Sequence, residues 1–189
     1  MNKLPVGILA IQGGYEAHAK VLCSLNTPFL YVTLPTHLYK TSALIIPGGE
    51  STTLLKFITE NGLFEAIINF KQQGHPIFGT CAGAVLMAHT VKNPDQPALQ
   101  LMDIVIERNA YGRQLASCIK FGKFIPNQEE MEMVFIRAPK IKAINKTVEI
   151  LAQYDEEIVC VKQANCIAAT FHPELSISSP LHIYFLSLI

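Results

Sequence analysis

Short, uninterrupted apolar segments alternate with helical segments through the first half of this chain, and this alternation constrains its fold more than any other feature. Residues 6–11, 29–34, 43–46 and 76–79 have the continuous apolar character of strands buried on both faces. Residues 15–25, 51–73 and 82–89 suit helices, the second with a break at Asn61-Gly62. This order predicts an α/β fold, with a mostly parallel sheet covered by helices on both faces.

The second half of the chain has a different texture, with strand-like runs and little helical period. These runs are residues 103–107, 133–137, 148–152, 158–161 and 166–171. We interpret them as hairpins and antiparallel extensions of one sheet. We predict loops at residues 93–97 and 127–132. We predict a terminal helix at residues 181–189. Neither loop has the length or composition of a linker, so residues 1–189 are expected to form a single domain.

The composition of the chain argues against several classes of function. The 189 residues include 15 basic and 15 acidic side chains, and this neutral balance argues against a nucleic-acid partner. Five cysteines without a CxxC pair fit a reduced, cytoplasmic protein better than a disulfide framework or a zinc site. Residues 1–11 superficially resemble a signal peptide, but Gln12-Gly13-Gly14 stands where a cleavage site would be, so a buried first strand is preferred. No apolar run approaches the roughly 18 to 20 residues that span a bilayer.

The strongest local motif is Gly79-Thr80-Cys81-Ala82-Gly83, between an apolar strand and a helical segment. It has the form of a nucleophile elbow, in which flanking glycines let strand and helix pack closely while the central side chain is exposed in a strained turn. The start of the following helix stabilises a thiolate at Cys81 and places the Ala82 N–H near a developing oxyanion. The alternative is a glycine-rich turn with a structural cysteine.

A base for such a thiol is best sought in Phe171-His172-Pro173-Glu174, which follows the last apolar strand. Proline favours an extended backbone at His172, and residues two apart in an extended segment point to the same side. Glu174 can therefore hold one imidazole nitrogen and leave the other for Cys81, as in a Cys-His-Glu triad. By itself, a His-Pro-Glu sequence is more often an ordinary loop. The other five histidines show no comparable setting.

A second glycine loop, Pro47-Gly48-Gly49-Glu50-Ser51, follows the third strand and leads into a helix. Open α/β sheets bind ligands in this crevice, and backbone N–H groups there can complete an oxyanion hole. The loop lacks the spacing of a phosphate loop, and Ser51 has a simpler role available as the N-cap of the helix.

Together these motifs resemble the class I, triad-type glutamine amidotransferases and, more closely, the family of glutaminase subunits of pyridoxal phosphate synthase. The closer resemblance covers nearly the whole chain in order. It consists of GILAIQGG at 7–14, PGGESTT at 47–53, FGTCAG at 78–83, ERNAYGRQ at 107–114, FIRAP at 135–139 and FHPEL at 171–175. It implies a flavodoxin-like, three-layer fold.

The resemblance also implies an activity and the residues that perform it. Glutamine would be hydrolysed to glutamate and ammonia through a glutamyl thioester on Cys81, with His172 moving the proton and Glu174 orienting His172. The implied glutamine contacts are Gly49, Glu50, Ser51, Arg108, Ile136 and Arg137. The implied oxyanion hole and interface residues are Gln12, Gly49 and Ala82. No metal or cofactor is implied.

The implied partner is the synthase subunit, a TIM-barrel protein whose dodecamer carries up to twelve glutaminase subunits. It would use the ammonia with ribose 5-phosphate and glyceraldehyde 3-phosphate to make pyridoxal 5'-phosphate, and its docking would activate the glutaminase. Two alternatives remain at this stage. One is a free-standing thiol hydrolase of related fold, such as a γ-glutamyl hydrolase, and the other is a non-catalytic subunit that only binds glutamine.

Overall fold

The computed structural model describes residues 4–110 and 117–189. The strands are β1 Val6–Leu9, β2 Phe29–Val32, β3 Ala43–Ile46, β4 Ile77–Thr80, β5 Ala88–Lys92, β6 Met102–Glu107, β7 Ser117–Phe124, β8 Glu129–Ile136, β9 Lys140–Ile144, β10 Glu149–Tyr154, β11 Glu157–Gln163 and β12 Cys166–Ala169. The helices are α1 Tyr15–Ser24, α2 Pro35–Leu38, α3 Ser51–Glu60, α4 Leu63–Gln72, α5 Ala82–Met87 and α6 Pro180–Leu186, with a 3-10 turn at Pro173–Leu175. In the described part of the chain, no helix is long and apolar enough to cross a membrane.

A nine-stranded mixed sheet forms the centre of the protein, in the order β2-β1-β3-β4-β12-β11-β10-β7-β8. The pairs from β2 to β12 are parallel, and those from β12 to β8 are antiparallel. The expected α/β fold with a parallel centre and an antiparallel extension is therefore confirmed. The chain order reverses between β1 and β3, which creates a crevice at the carboxyl ends of these strands.

Apolar cores lie on both faces of the sheet because successive side chains of a buried strand point to opposite sides. In β3, Leu44 and Ile46 join the core formed with α3, α4 and α5, whereas Ala43 and Ile45 join the core formed with α1 and α6. All four side chains are fully buried. This two-sided burial explains why the parallel strands are continuously apolar in sequence rather than alternating.

Three sequence-based expectations about the elements are wrong. The predicted helix at 82–89 ends at Met87, and Ala88–Lys92 instead forms β5. β5, β6 and β9 make a separate three-stranded sheet, so the run at 103–107 is not an extension of the main sheet. Residues 129–132, predicted as part of a loop, belong to β8. Their polarity reflects an edge strand with exposed positions rather than a loop.

Candidate active site

Cys81 lies between β4 and α5 in a conformation that few residues adopt. Its φ is 49° and its ψ is −106°, and its amide donates to the Ala169 carbonyl of β12 at 2.8 Å. Only 8% of its surface is exposed, and Sγ lies 3.9 Å from the carbonyl oxygen of Ile136. A non-glycine residue held in such a region is strained, and strain of this kind concentrates at functional sites. The strained turn between strand and helix agrees with the elbow predicted from the sequence, but the expected exposure of its central side chain is wrong, because Cys81 is buried.

The sheet brings His172 to Cys81 across 91 positions of sequence. β12 lies beside β4 in parallel register, with Ala169 opposite Thr80, so the segments after both strands emerge at the same edge. His172 also donates its amide to the Val134 carbonyl of β8 at 2.8 Å. The loop after β3 packs against both side chains. A Cβ added to Gly48 would lie 2.5 Å from His172 Cε1 and 3.3 Å from Cys81 Cβ, so this position has no room for a larger residue.

His172 and Glu174 form a close pair beside the thiol. His172 Nδ1 lies 2.8 Å from Glu174 Oε1, and the Glu174 side chain is almost fully buried. Burial lowers the pKa of His172, but its contacts with Cys81 and Glu174 outweigh burial and raise that pKa to about 10. Burial raises the pKa of Glu174, but its contacts with His18 and His172 hold it below the ordinary value. This arrangement favours a charged carboxylate beside a protonated imidazole.

The Gln12-Gly13-Gly14 segment and the glycine loop at residues 47–51 are joined at the crevice between β1 and β3. Gly14 donates its amide to the Gly48 carbonyl at 2.9 Å, and Glu50 donates its amide to Gln12 Oε1 at 3.0 Å. Gln12 therefore links the end of β1 to the loop after β3. Ala82, the first residue of α5, directly follows Cys81. The structure thus gathers all three predicted oxyanion-hole residues, Gln12, Gly49 and Ala82, around the loops that border the thiol.

Glu50, rather than Ser51, is the N-cap of α3. Its carboxylate accepts from the Thr53 amide at 2.7 Å and from the hydroxyl groups of Thr52 and Thr53, and its other oxygen lies 3.1 Å from Arg108 Nη2. Ser51 is the first helical residue, and its buried hydroxyl donates to Gln96 Oε1 at 2.9 Å. The simpler role considered for Ser51 is therefore wrong, because Glu50 reaches the free N–H groups first.

Ile136 ends β8 beside Cys81, and Arg137 follows it. The Ile136 carbonyl faces the thiol, and Arg137 is exposed with a φ of 46°. Arg108 follows β6 and is brought to the site by its contact with Glu50. Residues 111–114, the second half of the motif at 107–114, lie outside the described residues, as do residues 1–3 of the segment that resembles a signal peptide.

We expect Glu50→Ala to destabilise the protein by about 1 kcal/mol at pH 7, the usual cost of losing an N-cap. Burial raises the pKa of Glu50, but hydrogen bonds from Thr52 and Thr53 together outweigh it and lower that pKa to about 2. A lowered pKa means that the cap contributes fully above the unfolded value near 4.5 and is lost as the pH falls toward 2. Urea unfolding at pH 7 and pH 3 should therefore show a smaller difference between variant and wild type at pH 3.

The matched control for this substitution is Glu60→Ala at the other end of α3. Glu60 is exposed and lies 3.9 Å from Lys56, a contact of little stabilising value. Its removal should change the free energy of unfolding by less than about 0.5 kcal/mol. Equal urea midpoints for Glu50→Ala and wild type at pH 7 would contradict the capping role.

Two histidines near the site were missed by sequence reasoning. His18 in α1 and His182 in α6 are both fully buried, and His18 Nε2 lies 3.4 Å from Glu174 Oε2. The only available signal was position, because His18 shares the buried face of α1 with Leu22, one turn later. A histidine on an apolar helix face is usually a core residue, and no local pattern connects it to Glu174.

Comparison with solved structures identifies the fold class. A protein described as glutamine amidotransferase superposes with a TM-score of 0.92 at 38% sequence identity, covering 97% of each chain. The fold is that of the class I glutamine amidotransferases.

The chain belongs to the SNO glutamine amidotransferase family, whose model matches residues 8–189. Two relatives are named pyridoxal 5'-phosphate synthase subunit PdxT. The protein from Pelotomaculum thermopropionicum is 46% identical, with 97% of this chain and 94% of the relative covered. The protein from Thermotoga petrophila is 43% identical, with 98% of this chain and all of the relative covered.

Proposed function

We propose that this protein is the glutaminase subunit of a pyridoxal 5'-phosphate synthase. It hydrolyses L-glutamine to L-glutamate and passes the ammonia to a synthase subunit. The observation that carries the proposal is the strained Cys81 elbow beside the His172–Glu174 pair. Support for the particular synthase comes from the name that the relatives share at more than 40% identity over nearly their full length.

In the proposed reaction, Cys81 Sγ attacks the side-chain carboxamide carbon of glutamine. His172 takes and holds the proton of the Cys81 thiol. Its other ring nitrogen, Nδ1, lies 2.8 Å from Glu174 Oε1. As the tetrahedral intermediate collapses, His172 gives the proton to the leaving nitrogen, ammonia departs and a glutamyl thioester remains on Cys81. Water, with His172 as base, then hydrolyses the thioester and restores the thiol.

The same proposal assigns the surrounding residues. Backbone N–H groups of Gly49 and Ala82 stabilise the oxyanion, and Gln12 holds the Gly49–Glu50 segment through its bond to the Glu50 amide. The substrate contacts are Gly49, Glu50, Ser51, Arg108, Ile136 and Arg137. Arg108 and Arg137 have the planar fork that suits the α-carboxylate of glutamine. Arg108 already lies at the site through Glu50.

A partner is part of the proposal because free ammonia is mostly protonated at neutral pH and then cannot act as a nucleophile. Residues 1–189 act as one glutaminase domain that docks on the synthase, and the synthase dodecamer carries up to twelve copies. Docking completes the oxyanion hole, so that glutamine is not hydrolysed without an acceptor. The site of action is the cytoplasm.

The proposal is tested by measuring glutamate release from glutamine with and without an added synthase subunit from one of the relatives' organisms. We expect release to be slow for the chain alone and to rise sharply when the synthase is added. Equal release in both conditions would favour a free-standing hydrolase. If neither condition gives release while glutamine still binds, the chain would be a non-catalytic binding subunit.

A further inference from the structure

Behind the proposed triad, two buried histidines meet on the α1 and α6 side of the sheet. His18 and His182 are both fully buried, although they are 164 positions apart in sequence. Their rings lie 5.2 Å apart, and Phe78 of β4 packs edge-on against both, with ring centroids at 6.2 Å and 5.5 Å. Most buried polar atoms have hydrogen-bond partners, so the contacts of these ring nitrogens need an account.

The contacts of His18 run from α6 to the proposed triad. His18 Nδ1 lies 2.9 Å from His182 Nε2, and His18 Nε2 lies 3.2 Å from Thr80 Oγ1. The same Nε2 atom lies 3.4 Å from Glu174 Oε2. Within the described part of the chain, Glu174 Oε2 has no hydrogen bond, although Glu174 Oε1 is bound to His172. A buried carboxylate oxygen needs a donor, and His18 Nε2 lies near enough, at 3.4 Å, to become that donor.

The contacts are consistent with one set of tautomers. If His18 Nε2 carries a proton toward Glu174 and Thr80, a neutral His18 must accept at Nδ1, and the donor there is His182 Nε2. His182 Nδ1 is then an unprotonated acceptor. It has no hydrogen-bond partner in the described part of the chain, and an unpaired acceptor costs less than an unpaired N–H donor.

We propose that His18 is a positioning residue for the glutaminase reaction, and that it holds Glu174 against His172 by donating from Nε2 to Glu174 Oε2. His182 sets the tautomer of His18 by donating to its Nδ1. The proposed triad thus extends through the core as Cys81, His172, Glu174, His18 and His182. This inference rests on the proposed function.

The charges around His18 favour a neutral pair. Burial lowers the pKa of His18, and Glu174 opposes this change while His172 adds to it. Burial also lowers the pKa of His182, to about 3, with His18 acting in the same direction and Glu174 in the other. Among the described residues, His172 and Glu174 are the ionisable groups that act on the pair. A neutral donor leaves the negative charge of Glu174 available to the His172 imidazolium, whereas a second cation would compete for it.

The test compares His18→Asn with His18→Gln. Asparagine places an amide near the position of Nδ1 and keeps a partner for His182, but it has no atom where Nε2 stands. Glutamine places an amide nitrogen near the position of Nε2, from which it can donate to Glu174. His75→Asn serves as a control, since His75 precedes β4 at the opposite end of that strand and stacks on Phe70.

For His18→Asn in complex with the synthase subunit, we expect kcat to fall about 10- to 100-fold with little change in the KM for glutamine, as when a group that orients a functional side chain is lost. The NMR titration of the His172 ring should move to lower pH by at least about one unit, because Glu174 no longer holds the imidazolium. His18→Gln should restore most of the kcat and most of the shift in the His172 titration. His75→Asn should change neither kcat nor that titration.

Two results would overturn the positioning role. One is that His18→Asn has the same kcat as the wild type and that its His172 ring titrates at the same pH. The other is equal loss in the asparagine and glutamine variants, which would indicate only a packing defect. If His18→Asn does not fold, His182→Gln and His182→Leu decide the question. Glutamine keeps a donor toward His18 Nδ1 and should titrate like wild type, whereas leucine should lower the pH at which His172 titrates; equal titration in both would overturn the role.

Failure of the proposed function would be recognised separately. In that case wild-type chain with synthase would release no glutamate, and a glutamine analogue specific for thiols would not label Cys81. The His172 titration is measured on the chain alone, so it reports the contact between His18 and Glu174 whatever the reaction. A wild-type chain that is active and labelled, with unchanged titration in His18→Asn, would reject the positioning role alone.

Discussion

Cys81→Ala is expected to lower glutamate release in the complex by at least about 10⁴-fold, because the proposed reaction has no other nucleophile. Burial raises the pKa of Cys166 to about 11 and also raises that of Cys160, so both thiols remain protonated inside the main sheet. The alanine variant should still bind glutamine, since the proposed substrate contacts lie on other residues. Coupled glutamate detection and calorimetric binding of glutamine measure the two properties.

The matched control is Cys23→Ala, which removes an exposed thiol on α1. It should leave both release and binding at the wild-type level. Full glutaminase activity in Cys81→Ala would refute the thioester mechanism. Loss of glutamine binding together with activity would instead mean that the elbow, rather than the thiol alone, had been disturbed.

Gly83→Ala should lower the free energy of unfolding by about 3 kcal/mol or more. A Cβ on Gly83 would lie 1.9 Å from the carbonyl oxygen of Ile46 and 2.8 Å from its carbonyl carbon. These are backbone atoms of β3, and Ile46 is paired with Gly79 of β4, so they cannot rotate away as a side chain can. Relief requires α5 to move from the sheet, which would also displace Cys81.

Urea unfolding of Gly83→Ala should be compared with that of Gly74→Ala. Gly74 has a φ of 88° but nothing within 4 Å of an added Cβ, so alanine there introduces backbone strain without a clash. That strain should cost about 1 to 2 kcal/mol. Comparable destabilisation in the two variants would show that α5 moves more easily than the packing against β3 indicates.

The parallel half of the fold could be predicted because its signals are local. The strand at residues 43–46 has the predicted bounds, since a fully buried strand is a short apolar run that ends sharply at glycine or proline. The antiparallel half could not be predicted equally well. Its strands are partly exposed, and β6 is held in a second sheet by pairing with β9, 33 to 40 positions later in the sequence. Such pairing is decided by which edges meet.

In the candidate site, too, some features could be predicted from local sequence and others could not. By itself, the sequence determined the elbow at Cys81 and the pairing of His172 with Glu174, because a tight turn and an extended His-Pro-Glu segment constrain their own side chains. Only the tertiary structure decided that Glu50 caps α3 and that His18 and His182 meet behind Glu174. The partners of buried polar groups depend on which helices cover the sheet, and that arrangement is set by packing over the whole chain rather than by any local pattern.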